Sequence, residues 1–565
     1  MKIMTSRPGL RRALLCCAGW GGAVALCVSA GHARAQSAMS NPPPTTRRDQ
    51  SVELAMKIKQ PFTLVAIGDM LEFQPFSKRD DPDIQYLVDI LRGADMTIAN
   101  NENMIVDINH YDGPIAGGSN PMGESNLADK QVADDWAHMG IKAVTKANNH
   151  TFDGGEPGLW EDFRQVERVG IVHAGAGRTL SEARMARYYE TPKGLVSFEG
   201  VYAVNANRAF GYGIGEGLQY VTPDQIDTLR AIRDSIVARR GEVENPIEPP
   251  PPDAPGTVLA FGITFKAGTP PAMPPHDDIA EAIRRMDAVK AKNNALQLTA
   301  YNGVTAEQMR QLRAIVGDTG TGDTLSAWGQ LFKVTPEPGD YHYEMVPQDE
   351  HDVLQEVRTG KQFSAFNVAT IHWHQNRFAF QHYSYDHYPA DFEIKFAHDA
   401  VDQGADAVVG HGVHTIKGVE IYKGKPIFYG VSNYVFQSQI MPAGRGDSPT
   451  GYGGSPLSTA RPGPQAIVGQ GDLSEIGHAW LQAPANLEAL LTQSRYDGGR
   501  LVEVRIYPVD LGQTPRPGSE LGTPRRPAPG VARKILDEVV EYSKPFGTKI
   551  SIENGVGVIR PSHYP

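Results

Sequence analysis

Short apolar runs alternate with amphipathic segments along much of the chain, and several of these runs end in a polar cluster. Residues 62–67 are apolar and end at Gly68-Asp69, and the run over 95–99 ends at Asn100-Asn101-Glu102. Between them, residues 83–92 have the periodicity of an amphipathic helix. Strands that alternate with helices are typical of a βαβ-type sheet, so the sequence predicts an α/β fold.

The same order of strand, polar cluster and helix recurs further along the chain. The additional elements are helices over 131–139 and 390–403 and strands over 141–145, 366–371, 407–409 and 427–429. Three of these strands run into Asn148-Asn149-His150, into His372-Trp373-His374 and into Gly410-His411-Gly412-Val413-His414. Open α/β sheets bind ligands at the carboxyl ends of their strands, so these clusters mark a candidate site.

The remaining segments suggest a domain organisation. We predict a main domain over 55–440, which follows a flexible leader over 36–54 and contains an insertion over about 205–360. The insertion is predicted to contain helices over 223–240 and 277–291 and a strand over 257–264. A Gly/Pro-rich loop region over 441–497 and a small strand-helix-strand extension over 498–565 complete the chain.

The N-terminus has the layout of a secretory signal peptide over residues 1–35. Four basic residues among the first twelve precede an apolar run over 13–30, which leads to the small-residue pattern Ala33-Arg34-Ala35. Cleavage before Gln36 would place the protein in the periplasm or cell envelope. A retained membrane anchor is the alternative, because the apolar run is nearly long enough to span a bilayer.

The composition of the exported chain excludes cysteine chemistry and argues against one class of partner. Residues 1–35 include five of the 54 basic residues and none of the 65 acidic ones, so their removal changes the formal net charge from -11 to -16. They also include Cys16, Cys17 and Cys27, the three cysteines of the chain, which leaves neither disulfides nor thiolate chemistry. The acidic balance argues against a nucleic-acid partner, because such proteins need a basic face.

The strand-end clusters contain the residue types that a metal site requires. They supply Asp69, Glu102, Asn149, His150, His372, His411 and His414. Two divalent cations need a bridging carboxylate, further oxygen ligands and neutral imidazoles, and such a pair lowers the pKa of a bridging water. A single cluster is weak evidence, since a lone His is more often a surface residue. The recurrence of five clusters predicts two divalent metal ions (Mn, Zn or Fe).

Five motifs occur in an order that is known from one protein family. They are Gly68-Asp69, Asn100-x-Glu102, Ala147-Asn148-Asn149-His150-x-x-Asp153, His372-Trp373 and Gly410-His411-Gly412-x-His414. In this order the chain resembles bacterial capsule-synthesis proteins of the CapA type over residues 60–205, 365–437 and part of the C-terminus. That family is associated with poly-γ-glutamate synthesis, and its similarity to calcineurin-like metallophosphoesterases implies a layered α/β sheet fold.

The resemblance also implies roles for individual residues. Asp69 would hold the first ion, Glu102 would bridge both, and Asn149 and His372 would complete the second, while His411 and His414 share the remaining positions. The catalytic residues would be His150, as proton donor or oxyanion stabiliser, and Asp153, which would orient it.

Two positions depart from the family pattern. Many members have Gly-x-His-Pro-His where this chain has Gly410 to His414, so the residue that takes the penultimate His role is left open. Many also have His-Trp-Gly-x-Glu, whereas this chain has His374 and Asn376 at the Gly and Glu positions. His374 is either an extra ligand or a solvent-facing residue, and the sequence slightly favours solvent.

The sequence therefore predicts an exported metal-dependent hydrolase that acts on a phosphoester or on a linkage in a surface polymer. The partners implied are an anionic surface polymer or its precursor, and a membrane capsule synthase or export proteins. A non-catalytic assembly or export factor for such a polymer is the alternative.

Overall fold

The computed structural model describes residues 50–113, 126–205, 219–241, 253–261, 263–268, 292–375, 377, 387–437 and 484–561. The chain divides into two compact units, Met1–Ala55 and Met56–Pro565. In the first unit, the described part contains the short helix Gln50–Glu53. The predicted signal peptide, the predicted helix over 277–291 and most of the predicted loop region over 441–497 lie outside the described residues.

The described helices follow the amphipathic segments of the sequence. They are α1 Pro82–Arg92, α2 Gln131–Met139, α3 Gly155–Arg168, α4 Leu180–Arg184, α5 Pro223–Gly241, α6 Ala306–Val316, α7 Pro347–Phe363, α8 Asp391–Asp402 and α9 Pro529–Ser543. Helix α1 begins where the Asp81 side chain accepts hydrogen bonds from the backbone N–H groups of Asp83 and Ile84. Within the described residues, no helix combines the length and the apolar character needed to span a membrane.

The strands are numbered in chain order. They are β1 Phe62–Leu71, β2 Met96–Asn101, β3 Met104–Val106, β4 Leu127–Asp129, β5 Ala143–Thr145, β6 Val172–Ala174, β7 Arg187–Thr191, β8 Gly194–Asn205, β9 Gln219–Val221, β10 Thr257–Ala260, β11 Ile263–Ala267, β12 Ala295–Val304, β13 Thr324–Ala327, β14 Gln330–Val334, β15 Tyr341–Met345, β16 Phe366–His372, β17 Ala407–His411, β18 Val419–Tyr422, β19 Lys425–Phe428, β20 Asn433–Phe436, β21 Glu488–Asp497, β22 Arg500–Asp510, β23 Ser551–Glu553 and β24 Val556–Ile559.

The first large sheet has the strand order β23-β24-β22-β21-β1-β2-β5-β6, and β20 also pairs with β1. Strands β1, β2, β5 and β6 are parallel, whereas β21 is antiparallel to β1. Beyond an irregularity in the β1–β2 register, Asp69 lies opposite Asn100. The carboxyl ends of β1, β2 and β5 therefore lie along one edge of this sheet.

The second large sheet has the order β13-β14-β12-β8-β16-β17-β19-β18, and β15 and β7 pair with β12 and β8. Strands β8, β16 and β17 are parallel, and their register places His372 opposite both His411 and Tyr202. Two predicted ligands are thus brought side by side by strand pairing alone.

The two large sheets pack face to face, and helices cover their outer faces. Strand β1 alternates accordingly: Leu64 packs in the core between the sheets, with Phe198 and Val368 of the second sheet, whereas Val65 faces outward. Helices α1 and α2 cover the outer face of the first sheet, and α7 and α8 that of the second. The layered α/β fold that the sequence predicts is confirmed.

Three parts of the predicted organisation differ from the structure. The predicted loop region over 441–497 ends in strand β21, which pairs with β1 along Phe62 to Ala66. The predicted C-terminal extension contributes β22 and β24 to the same sheet. Within the predicted insertion, β12 pairs in parallel with β8 in the second sheet. Strands β21 and β22 form a hairpin, but the pairings β21–β1, β22–β24 and β12–β8 join strands that are distant in sequence, so local pattern did not reveal them.

Part of the predicted insertion does form a core of its own. Helices α5 and α6 pack with β10, β11 and β14 through Leu229, Leu312, Phe265 and Phe332. The single strand predicted over 257–264 is a hairpin of β10 and β11, with Phe261 at φ 54° between them.

Candidate metal centre

The six predicted metal ligands lie together where strands of both large sheets end. Asp69 is near the end of β1, Glu102 follows β2, and Asn149 follows β5. His372 and His411 are the last residues of β16 and β17, and His414 lies in the turn after β17. Three groups of ligand atoms are close enough to hold a cation: Asp69/His372/His411, Glu102/His372/His374 and Asp69/Glu102/His414.

Asp69 is at the centre of one half of the cluster. Its Oδ1 accepts a hydrogen bond from Asn100 Nδ2 at 2.8 Å, and its Oδ2 accepts one from the backbone N–H of Gly412 at 3.0 Å. His411 Nδ1 lies 3.4 Å from Oδ1, and His414 Nδ1 lies 3.5 Å from Oδ2. Burial would raise the pKa of Asp69, but hydrogen bonding and charge from His411, together with His414, lower it below its usual value.

The imidazole of His372 connects the two halves. Its Nδ1 lies 3.1 Å from His411 Nδ1. Its Nε2 lies 2.7 Å from His374 Nε2, 3.0 Å from Asn149 Oδ1 and 3.8 Å from Glu102 Oε1. Each ring nitrogen of His372 thus faces a different set of candidate ligands.

Glu102 is the most informative member of the cluster. Its side chain is fully buried, and neither of its carboxylate oxygens has a hydrogen-bond partner among the described residues. His411 Nε2 is also buried, with no hydrogen-bond partner in the described part of the chain. Buried polar atoms are nearly always satisfied, so these three atoms require an explanation. Carboxylate oxygens and imidazole nitrogens are ligands for divalent cations, and a cation pair would satisfy them.

The electrostatics agree with this explanation. Burial, followed by the charges of Asp69 and Asp153, raises the pKa of Glu102 well above its usual value. Burial and the neighbouring histidines hold the pKa of His372 well below its usual value, and burial first and then His414 lower that of His374 to about 3. These imidazoles are neutral at pH 7, which is the form that binds a metal.

The two predicted catalytic residues lie beside this cluster. His150 Nδ1 is 2.8 Å from Asp153 Oδ2, and His150 Nε2 is 3.9 Å from Glu102 Oε1. Asp153 Oδ2 also accepts a hydrogen bond from the backbone N–H of Asn126, whose side chain donates to the carbonyl of Glu102. Asp153 therefore holds Nδ1 of His150, and Nε2 points toward the candidate ligands.

The sequence motifs include Asn100 and Asn148, but no supporting role was predicted for these asparagines or for Asn126 and Asn293. Asn148 Nδ2 donates to Asn100 Oδ1 at 3.1 Å and to the carbonyl of Asn101 at 2.8 Å, and Asn148 Oδ1 accepts from the backbone N–H of His150. The pairs Asn100-Asn101 and Asn148-Asn149, at and after the ends of β2 and β5, could have indicated this support. Asn126 and Asn293 carried no comparable signal, because both lie outside the strand-end motifs.

Backbone conformation around β17 is adapted to the site. Gly412 has φ 96°, and a Cβ atom there would lie 2.9 Å from the ring of His372. His414 and Ser432 also have positive φ angles, of 56° and 63°, which cost about 1–3 kcal/mol each for residues other than glycine. Such strain is common at functional sites, and here it directs His414 toward Asp69.

The position of His374 differs from the sequence-based prediction, which slightly favoured a solvent-facing side chain. The side chain is half-buried, and its Nε2 faces His372 Nε2. Residues two positions apart in an extended segment lie on the same side of the chain, so His374 follows the direction of His372.

Comparison with known proteins identifies the family. The family model described as "Bacterial capsule synthesis protein PGA_cap" matches residues 63–240 and 277–438. The match includes most of the predicted insertion, which the sequence motifs alone did not connect to the family. The match covers the strands of the second large sheet and β2, β5, β6, β20 and most of β1 of the first, whereas β21 to β24 lie outside it.

Individual relatives are similar either over most of this chain or over a short part of it. The uncharacterized protein y4sH of Sinorhizobium fredii is 28% identical over 90% of this chain and 94% of its own length. The PGA biosynthesis protein CapA of Bacillus subtilis is 32% identical over 16% of this chain and 22% of its own. The capsule biosynthesis protein CapA of Bacillus anthracis is 35% identical over 12% of this chain and 15% of its own. Because the family model matches well over half of the residues, the chain belongs to the PGA_cap family of bacterial capsule synthesis proteins.

Proposed function

We propose that this capsule synthesis protein is an exported metal-dependent hydrolase, which cleaves a phosphoester or a linkage of an anionic surface polymer. The observation that supports this function most is the buried carboxylate of Glu102, whose oxygens have no hydrogen-bond donor among the described residues. The neutral imidazole of His372 lies beside it, with Nε2 at 3.8 Å from Glu102 Oε1.

The candidate ligands divide between two cations. Asp69, His411 and His414 would hold the first, His372 and Asn149 would hold the second, and Glu102 would bridge them. When bound, such a pair activates a water as nucleophile and stabilises negative charge on the attacked group. The identity of the cations is left to elemental analysis, since imidazole, amide and carboxylate ligands suit Zn, Mn and Fe.

His150 is the candidate for proton transfer to the leaving group. The contact between its Nδ1 and Asp153 fixes the ring, and its Nε2 is turned toward the cluster. A proton on Nε2 can be donated to the departing oxygen or nitrogen of the substrate, while Asp153 stabilises the ring in position. Asn148 holds the backbone N–H of His150 and so limits movement of the loop.

Metal content and turnover test this function together. We expect purified protein to contain about two equivalents of divalent cation, and we expect His150→Ala to retain them but to lose activity. Substrates should include p-nitrophenyl phosphate, bis(p-nitrophenyl) phosphate and poly-γ-glutamate. His398→Ala is a matched control, because His398 is half-buried beside Glu420 and lies outside the cluster. A cation-loaded wild type that cleaves none of these substrates would contradict the hydrolase.

Export is a separate part of the proposal, supported by the N-terminal sequence. We expect the protein in the envelope fraction to begin at Gln36, as measured by mass spectrometry of its N-terminal peptide. An intact N-terminus in that fraction would support a retained anchor instead, and protein confined to the cytoplasm would contradict export.

The second candidate function is a non-catalytic assembly factor, and the deep burial of the candidate ligands favours it. Asp69, Glu102, His372 and His411 are each 1% exposed or less. Closed metal sites are typical of structural cations, whereas catalytic sites keep an open position. The two candidates are distinguished by complementation of a strain that lacks this protein. A folded Glu102→Gln/His150→Ala variant that restores the polymer would favour assembly over catalysis.

A further inference from the structure

We propose that His374 is a direct ligand of the second cation, and that it makes this position selective for a nitrogen-preferring metal such as Zn²⁺ over Mg²⁺. The inference rests on the proposed two-cation function. It assigns a role to a side chain that lies outside the six predicted ligands.

The geometry around His372 Nε2 supports this assignment. The nitrogen of His374, the oxygen of Asn149 and the nearer oxygen of Glu102 lie 2.7, 3.0 and 3.8 Å from it. Ligand atoms of a tetrahedral zinc site, with bonds of about 2.0–2.1 Å, are separated by about 3.3 Å. The observed distances bracket that value, so small side-chain adjustments would place the four atoms around one ion.

The backbone holds His374 in this direction. The N–H of Trp373 donates to the carbonyl of His411 at 3.0 Å, and the Trp373 ring nitrogen donates to the carbonyl of Tyr429 at 3.0 Å. On the other side, the buried Gln375 accepts from the N–H of His374 and donates to the carbonyl of Ala203. His374 is thus fixed between two anchored residues, which is the preorganisation that a ligand needs.

A hydrogen bond between His374 and His372 does not by itself account for the site. That contact would satisfy two imidazole nitrogens, but it would leave both buried oxygens of Glu102 without a partner. A cation between the two rings and Glu102 would satisfy both nitrogens and the nearer oxygen of Glu102, and the first cation would satisfy its other oxygen. Glu102, His372 and His374 are indeed close enough to hold one ion.

The ligand types set the metal preference. With His374, the second position has two imidazole nitrogens, from His372 and His374, besides the oxygens of Asn149 and Glu102. Imidazole ligands suit Zn²⁺ and Fe²⁺, whereas Mg²⁺ prefers an all-oxygen set. His374 and Asn149 are also the half-buried members, so they form the solvent-facing side of this position.

Calorimetric titration of the purified protein with Zn²⁺ and with Mg²⁺ tests the assignment. We expect wild type to bind two Zn²⁺ ions, and His374→Ala to bind one of them at least ~10-fold more weakly. We expect weak Mg²⁺ binding to change less than twofold. His374→Gln is a second variant that preserves side-chain volume should His374→Ala unfold, and His398→Ala is the control. Titration with Co²⁺ adds a spectroscopic measure, because loss of a nitrogen ligand shifts the visible absorption bands.

The outcomes separate this inference from the proposed function. If wild type binds two Zn²⁺ ions and both variants retain both affinities within twofold, His374 is not a ligand, although the two-cation site remains. If wild type binds none of Zn²⁺, Co²⁺ and Mg²⁺, the assignment of His374 is wrong. If elemental analysis of the purified protein then also finds neither Mn nor Fe, the two-cation function is wrong as well. Weakening of one Zn²⁺ in the His374 variants, with both retained in His398→Ala, supports the assignment.

Discussion

The substitution Glu102→Gln tests the reasoning about the metal centre most directly. The change keeps the size of the side chain but removes a carboxylate that is buried near Asp69 and Asp153. An amide at this position would lack a partner among the described residues just as the carboxylate does, but it cannot ionise and so avoids the burial and like-charge cost that raises the pKa of Glu102. We therefore expect chelator-treated Glu102→Gln to be at least as stable as chelator-treated wild type.

With added cation, wild type should instead be more stable than Glu102→Gln. At a concentration of 100 times Kd, one Zn²⁺ stabilises the folded state by about 2.7 kcal/mol. If the loss of the Glu102 carboxylate weakens binding about 100-fold, the same concentration equals Kd and the stabilisation falls to about 0.4 kcal/mol. The difference of about 2 kcal/mol is measurable as a change in urea midpoint between chelator-treated and Zn²⁺-supplemented protein.

Glu199→Gln is the matched control for this experiment. Glu199 is as buried as Glu102, but both of its oxygens accept from Asn367 Nδ2, at 2.9 and 3.0 Å. It lies outside the candidate ligands, so the variant should retain the full Zn²⁺ effect. A wild type whose midpoint does not respond to Zn²⁺, or a Glu102→Gln variant that retains the whole response, would refute the reasoning.

Three further predictions concern pH, a buried ion pair and the support of the loop that carries His150. Burial raises the pKa of Glu199 well above its usual value, so its contribution to stability is complete below the unfolded pKa of about 4.3 and is lost as pH rises through the folded pKa. Glu199→Gln should therefore gain stability relative to wild type between pH 5 and pH 9 in urea titrations. Glu393→Gln should lower the free energy of unfolding by about 3–5 kcal/mol, because it leaves the fully buried Lys417 unpaired; a Glu393→Gln/Lys417→Met variant should recover part of that loss in the same assay. Asn293→Ala removes hydrogen bonds to the Asn148 carbonyl and to Thr151 Oγ1, and should cost about 1–3 kcal/mol in urea denaturation while elemental analysis finds the cation content unchanged.

Local pattern was sufficient for the elements that carry the site. Helix α2 has the predicted bounds, and β1 and β16 begin at the predicted residues. Apolar runs with β-branched residues that end in polar clusters are a strong signal for buried parallel strands. For this reason Asp69 and His372 could be placed close to strand ends without a structure, although β1 continues to Leu71, beyond the predicted end at residue 67.

Long-range pairing was not available from local pattern. Strand β21 contains polar residues such as Gln493 and Ser494 and follows a Gly/Pro-rich segment, so its sequence resembles a loop. In the fold it is buried against β1 and completes the first sheet. The supporting role of Asn293 was missed for the same reason, because its contact with Asn148 joins residues that are far apart in the chain.

The arrangement of the site follows from the packing of two sheets with parallel strands. Each sheet supplies one kind of ligand: Asp69, Glu102 and Asn149 come from the first, and the histidines of β16 and β17 come from the second. The Glu102 carboxylate, which has no donor among the described residues, and imidazoles packed against one another would each weaken a dry interface between sheets. Brought together, they form complementary ligand sets, and the proposed cations would offset the cost of burying them. On the proposed two-cation function, the fold would couple cation binding to the contact between its two sheets, and loss of the cations should loosen that contact first at the carboxyl ends of β1 and β16.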